Sequence, residues 1–242
     1  SALAAALLGK TPSYGLHKTE SREPEIGVCV TCDPKDADYS ALGFLIGNLV
    51  GDKIPLIELS SPASPGTDEL KHLSAAIGAT GSVGLYHIRG ITPEAGVKEQ
   101  KSTLKPEETI TLGKSDIEAV YAESGEPDVI AIGCPHCSYD ELTRIHALLT
   151  VEGKGRTLKK ELFLFTARAI TQRAKRLIAK IEKYGVTVLS DTCFVVSPAF
   201  EDYDCVVTNS GKMLRYVPLL CGGAKVQLCK TEECVRRGFY SP

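Results

Sequence analysis

An α/β fold with mainly parallel sheet(s) and helices on both faces is predicted by an alternation that runs through almost the whole chain. Short, near-continuous apolar runs rich in Val and Ile have the composition of strands buried on both faces. The segments between them carry apolar residues at helical spacing. Strand–helix alternation of this length favours crossover units over a hairpin meander.

Residues 1–8 are apolar and read as a helix end; without a basic n-region they do not make a signal peptide. Residues 26–32 (IGVCVTC) form the first strand, and 38–50 a helix stopped by Gly51. Residues 54–59 (IPLIEL) are the next strand, followed by the loop SSPASPG. A helix over 67–77 opens with Thr-Asp-Glu, and 83–88 (VGLYHI) form a third strand. Residues 89–114, punctuated by Pro93, Pro106 and Gly113, read as irregular. Ser115 then caps a helix to Ala122. A strand at 129–133 (VIAIG), a helix at 139–149, a strand at 162–166 (LFLFT), a helix at 168–184 and a strand at 187–190 (TVLS) follow. The basic stretch 153–160 reads as a solvated loop, and strands at 205–208 and 225–228 complete the set.

At 242 residues, 43% hydrophobic and 24% charged, the chain can bury a large core, as one α/β domain or two smaller ones. A net charge of -2 gives none of the basic footprint of a nucleic-acid binder. No apolar run reaches the roughly 18 residues needed to cross a bilayer. Neither nucleic acid nor membrane is therefore an expected partner.

Nine cysteines stand beside a single methionine, and an odd count excludes complete internal pairing. Set among long helix and strand patterns, they suit a cytoplasmic protein that keeps thiols for metal or redox chemistry. Two C-x-x-C pairs, Cys29/Cys32 and Cys134/Cys137, could together chelate zinc, although the gap between them far exceeds that of a zinc ribbon. Cys134-Pro135-His136-Cys137 also has the form of a thiol-oxidase motif, which would make the chain a thiol-disulfide oxidoreductase. Cys29, Cys205, Cys221, Cys229 and Cys234 read as inert structural thiols. Cys134 and Cys193 differ from these because each follows an apolar strand directly. Functional crevices in parallel sheets lie at the carboxyl ends of strands, so the two thiols could converge on an iron–sulfur cluster.

Asn209, Ser210 and Lys212 (TNSGK) follow the strand CVVT, with Gly211 able to let backbone approach an anion. Spacing alone leaves this as an ordinary strand-to-helix turn with a surface lysine. His87 and Arg89 end the run VGLYHI; they could line a crevice, or His87 could be a satisfied core histidine.

Five motifs in order carry a resemblance: GKTPSYGLH (9–17), IGATGSVGLYHIRGITPEA (77–95), GCPH (133–136), DTCFVVSP (191–198) and TNSGKMLRYVP (208–218). Over about 9–234 they resemble the aconitase X family. The resemblance implies an aconitase-like fold and an iron–sulfur hydro-lyase that dehydrates a hydroxy acid, 5-phosphomevalonate or cis-3-hydroxyproline. Cys134 and Cys193 match two of three cluster ligands, for a 3Fe-4S/4Fe-4S type cluster or a 2Fe-2S one. The third ligand is expected from an N-terminal stretch not included here, so the chain reads as part of a larger large subunit. A small swivelling subunit or domain is the expected partner and carries the proposed base, a serine. Cys137 stands where the family has an apolar or small residue and reads as a non-ligand. His136, beside one ligand, is the catalytic candidate, through a hydrogen bond to that ligand's surroundings; the alternative is a helix-capping or merely solvated ring. The same resemblance turns Asn209, Ser210 and Lys212 into the binding patch for a small acidic substrate.

Overall fold

The computed structural model describes residues 2–60, 65–96, 108–121 and 125–240. Part of the expected loop SSPASPG (61–64), part of the stretch read as irregular (97–107) and the expected helix end at Ala122 lie outside the described residues.

Two parallel sheets follow one another along the chain. The first combines β1 (Ile26–Val30), β2 (Pro55–Leu59), β3 (His87–Ile88) and β4 (Thr109–Leu112) in the order β3-β2-β1-β4. Its connections carry α2 (Asp38–Val50), α3 (Thr67–Gly81) and the short α4 (Pro93–Gly96), after an N-terminal α1 (Ala2–Leu8); α5 (Lys114–Val120) follows β4. The second sheet combines β5 (Val129–Cys137), β6 (Glu161–Thr166), β7 (Thr187–Ser190), β8 (Cys205–Thr208) and β9 (Lys225–Leu228) in the order β7-β6-β5-β8-β9. Its helices are α6 (Tyr139–Glu152), α7 (Arg168–Arg173), α8 (Lys175–Glu182), α9 (Gly211–Leu220) and α10 (Thr231–Phe239).

Side-chain alternation along the strands sets the cores. Val28 and Val30 of β1 face Leu42, Ile46, Leu73 and Ile77 of α2 and α3. Ile130 and Ile132 of β5 face α6, α8 and α10, whereas Val129 and Ala131 face an aromatic cluster with Phe165, Phe194 and Phe200. The second sheet is thus covered on both faces. Among the described residues no helix is long and apolar enough to cross a membrane.

Several expected boundaries shift for visible reasons. Only His87 and Ile88 of the run 83–88 pair with β2, because the chain leaves α3 through Ser82 in a left-handed conformation (φ 60°) and reaches the sheet edge late. The stretch expected to be irregular contains β4, whose four residues pair with β1 between Pro106 and Gly113. Gly113, not Ser115, precedes α5; its N–H donates to the Asp116 carboxylate at 2.7 Å. The helix expected over 168–184 is interrupted at Ala174 (φ -98°, ψ 12°), which is buried in the core. The strand-to-helix turn read at TNSGK leads into α9, whereas α10 carries no expectation from the sequence.

Candidate functional site

In the second sheet β5 and β8 are neighbours, and the chain proceeds from β5 outward to β6 and from β8 outward to β9. Such a reversal opens a crevice at the carboxyl ends of the two strands. Loops after β5, β7 and β8 meet there.

The loop after β5 is a bulge. Ile132 pairs with Leu164 and Cys137 with Thr166, so residues 133–136 stand opposite Phe165 alone. Gly133 makes this possible: its φ is 112°, and a β-carbon there would strike the Phe165 backbone. The bulge, which contains a cis Cys134–Pro135 peptide, pushes Cys134 and His136 out of the ladder. It is pinned at several points. Thr166 Oγ1 donates to the Cys137 carbonyl at 2.7 Å. Ser210 Oγ donates to the Cys134 carbonyl and accepts from Met213 N at 3.2 Å, which caps α9. His136 Nε2 donates to the Thr192 carbonyl at 2.7 Å; a carbonyl only accepts, so this nitrogen carries the proton.

That last bond brings the β7 loop over the bulge and sets the Cys134 and Cys193 thiols close enough for each to shift the other's ionisation. Cys134 is buried and Cys193 half-buried. The pair loses its first proton from Cys193. A thiolate there is stabilised by the Cys134 S–H, with burial opposing, and further by the Val195 and Val196 N–H groups and the Lys212 charge. The Cys134 thiol is pushed up because it faces the Cys193 thiolate and is buried, against the pull of the Lys212 charge. Among the described residues Lys212 has no carboxylate partner; its Nζ lies 5.8 Å from the Tyr216 ring centroid. The aromatic cluster closes the apolar side, with Phe194 stacked on Phe200 at 4.7 Å.

The structure therefore gathers Cys134, Cys193, His136, Ser210 and Lys212, and directs Asn209 elsewhere. Asn209 lines a separate cavity of about 350 Å³, together with His72, Glu141 and Thr231 and without either thiol. Its Nδ2 donates to Thr231 Oγ1 at 3.1 Å, which donates to Asp36 at 3.0 Å. Thr231 is committed as a donor to Asp36, which fixes the Asn209 amide and leaves its buried Oδ1 without a partner among the described residues.

The thiol-oxidase expectation fails on geometry. Cys134 joins the aromatic cluster and Cys137 the opposite core, so the motif does not present a dithiol. Burial also pushes the Cys137 thiol well up. The four-cysteine zinc site fails with it, since the two pairs sit on different sheets and among the described residues no group of three or more His, Cys, Asp or Glu is arranged to hold a metal ion. His87 is a core residue bonded to the Arg22 carbonyl at 2.7 Å, and Arg89 pairs with Glu58 at 2.6 Å. Sequence reasoning missed Asp68, Lys71, His72 and Glu141, which surround the outer side of the bulge. Their signals were the S-x-x-E capping box at Ser138–Glu141 and the helical spacing of 68, 71 and 72.

Two thiols side by side, one poised to ionise, suit two positions of a thiolate-ligated cluster. Family models of the aconitase X second domain and third domain match residues 24–122 and 127–239. The phosphomevalonate dehydratase large subunit of Methanosarcina mazei is 46% identical over 98% of this chain and 57% of its own length. The cis-3-hydroxy-L-proline dehydratase of Hypocrea jecorina is 31% identical over 90% of this chain and 39% of its own. The holo-form crystal structure of Thermococcus kodakaraensis aconitase X matches with a TM-score of 0.83 at 38% identity, over 98% of this chain and 60% of that one. The chain thus spans less than two thirds of the length of each of these relatives.

Proposed function

The chain belongs to the aconitase X family, and on that basis we propose that it forms the thiol-bearing part of an iron–sulfur hydro-lyase. The proposed reaction is dehydration of (R)-5-phosphomevalonate to an anhydromevalonate phosphate, supported by the 46% identity to a phosphomevalonate dehydratase large subunit. The observation that carries the reading is the juxtaposition of the Cys134 and Cys193 thiols at the carboxyl end of the sheet, beside Lys212.

Cys134 and Cys193 would hold two positions of a cluster of the 3Fe-4S/4Fe-4S type. When bound, such a cluster supplies a Lewis acid to the departing hydroxyl. The remaining work falls to side chains. Lys212 provides a positive charge for the substrate carboxylate or phosphate, in a crevice where an ion pair is stronger than on open surface. Ser210 contributes through the start of α9, because its hydroxyl is committed to the Cys134 carbonyl and the Met213 N–H. Asn209 fixes the same turn from behind through Thr231. His136 holds the Cys193 loop by its bond to the Thr192 carbonyl, and the phenylalanine cluster keeps water from the buried side. A further cluster ligand and the base would come from the rest of the large subunit and from a small swivelling subunit or domain.

The test uses the complete large subunit containing this chain, co-produced anaerobically with its small subunit. Broad visible absorption and turnover of 5-phosphomevalonate are expected, both lost in Cys134→Ser and in Cys193→Ser. A cluster that survives either substitution overturns the ligand assignment. Turnover of cis-3-hydroxy-L-proline instead would favour the second reading, which the 31% identity supports. Neither cluster nor turnover would leave a non-catalytic α/β interaction module.

A further inference from the structure

Helix α3 belongs to the first sheet, yet one of its faces is spent on the second. Asp68, Lys71 and His72 lie at positions i, i+3 and i+4 and so share a face. Lys71 Nζ donates to the His136 carbonyl at 3.1 Å and forms ion pairs with Glu141 and, at 3.1 Å, with Asp68. His72 Nε2 meets Glu141 Oε1 at 2.7 Å, while its Nδ1 meets Ser40 Oγ at 3.2 Å. Asp68 accepts from Ser138 Oγ at 2.8 Å. Glu141 in turn accepts from Ser138 N at 2.7 Å. These contacts fall on the segment 136–141, which leads out of the bulge that carries Cys134.

The cluster is shielded from solvent: the side chains of Lys71, His72 and Glu141 retain 25%, 10% and 18% of their exposure. That sets it apart from open surface pairs, which contribute little. Its placement matters more than its strength. His136 is held at both ends, its carbonyl by Lys71 and its imidazole by the Thr192 carbonyl, one residue before Cys193. A continuous run of contacts thus leads from α3 through His136 to the second thiol. The other loop is seated by the same helix pair, since Gly211 packs so closely on the Ser40 carbonyl and Ala76 that no β-carbon fits.

We propose that Asp68, Lys71 and His72 act as a positioning clamp, by which the first sheet sets the separation and mutual orientation of the Cys134 and Cys193 sulfurs. The inference rests on the reading of these thiols as paired ligands. Lys71 touches neither thiol and is a positioning residue.

The test reads thiol geometry without iron. Phenylarsine oxide exchanges its As–O bond for two As–S bonds, each thiol giving up its proton and one water leaving, with no change of oxidation state. Chelation at this site is the difference between the protein and its Cys193→Ser variant, which subtracts the neighbouring Cys229 and Cys234 thiols. Lys71→Met should weaken the arsenical at this site by about tenfold, the lower end of what orienting partners contribute to metal affinity. Lys71→Arg, able to reach the same carbonyl and carboxylate, should restore most of the loss. Leu73→Ala, on the same helix but in the first sheet's core, controls for general destabilisation and should leave affinity unchanged. His72→Gln, which keeps a donor toward Glu141, should fall between the protein and Lys71→Met. Undiminished affinity in Lys71→Met, or an equal loss in Leu73→Ala, overturns the clamp. If the protein chelates arsenic through both sulfurs, responds to Lys71→Met as stated and takes up no cluster, the clamp stands and the iron–sulfur reading fails.

Discussion

Ser210→Ala removes a hydroxyl with two separable duties. Ser210 is fully buried, caps α9 by accepting from Met213 N at 3.2 Å, and donates to the Cys134 carbonyl. Loss of a Ser cap costs about 1 kcal/mol. Leaving a buried carbonyl without its donor costs roughly 1–3 kcal/mol. The variant should therefore be less stable by about 2–4 kcal/mol, which for a chain of this size lowers Tm by very roughly 5–15 °C. Ser210→Gly separates the duties, because glycine at a cap costs only a few tenths of a kcal/mol. It should recover the capping share and none of the carbonyl share. Equilibrium urea unfolding of both variants, followed by circular dichroism, gives the two differences. A loss below about 0.5 kcal/mol in Ser210→Ala, the range of substitutions away from such features, would refute the reasoning. Equal losses in the two variants would show that the cap contributes nothing.

Other perturbations have equally definite outcomes. Burial pushes the Glu141 carboxyl up, but the hydrogen bond and charge of His72, with Lys71, outweigh it and hold the pKa at about 2 instead of 4.5. A depressed carboxylate stabilises the fold above its unfolded pKa, so roughly 3 kcal/mol should be lost as pH falls from about 4.5 to 2, and Glu141→Gln should flatten that limb of a pH–stability curve. Lys212→Ala in the complete enzyme should lower kcat/KM by roughly a hundredfold at unchanged Tm; unchanged kinetics would return it to the surface. Gly133→Ala, at φ 112° against the Phe165 backbone, should cost about 3 kcal/mol or more and yield little folded protein. Cys137→Ala should leave arsenical binding at Cys134–Cys193 intact while costing about 1 kcal/mol for the small cavity, in a chelation assay paired with a thermal melt.

Much of the architecture is legible because strand composition and helical spacing are local signals. Runs such as VIAIG and LFLFT declare themselves, and a cysteine directly after VIAIG or TVLSDT must emerge at a strand end. What local signals omit is pairing. Thr109–Leu112 is too short and too polar to announce a strand, and exists as one because β1 offers an edge. Position after a strand predicts that Cys134 and Cys193 converge, but not the faces the thiols take, because the four-residue bulge exchanges the faces that alternation from Ile132 would give Cys134 and Cys137. Adjacency groups Asn209 with Lys212, although the turn sends Asn209 to a cavity with His72 and Glu141 and Lys212 toward the thiols. Lys71 and His72 were invisible as site residues, since nothing in α3 indicates which foreign loop its polar face will meet.

The energetics of the bulge explain why such foreign contacts are needed. Residues 133–136 have no ladder partners of their own, and fixing four backbones costs on the order of 4–8 kcal/mol in conformational entropy. Among the described residues four side-chain hydrogen bonds hold the bulge: Ser210 to the Cys134 carbonyl, Lys71 to the His136 carbonyl, His136 to the Thr192 carbonyl and Thr166 to the Cys137 carbonyl. Buried or charge-assisted bonds contribute about 1–2 kcal/mol each, so the four together offset the cost with little to spare. A loop balanced this closely does not degrade in proportion when one bond is removed. It passes from one conformation to several, and the distance between the Cys134 and Cys193 sulfurs becomes a distribution. Of the four donors, Lys71 alone is delivered by the first sheet, so the second sheet's thiol geometry depends on how the two sheets are docked.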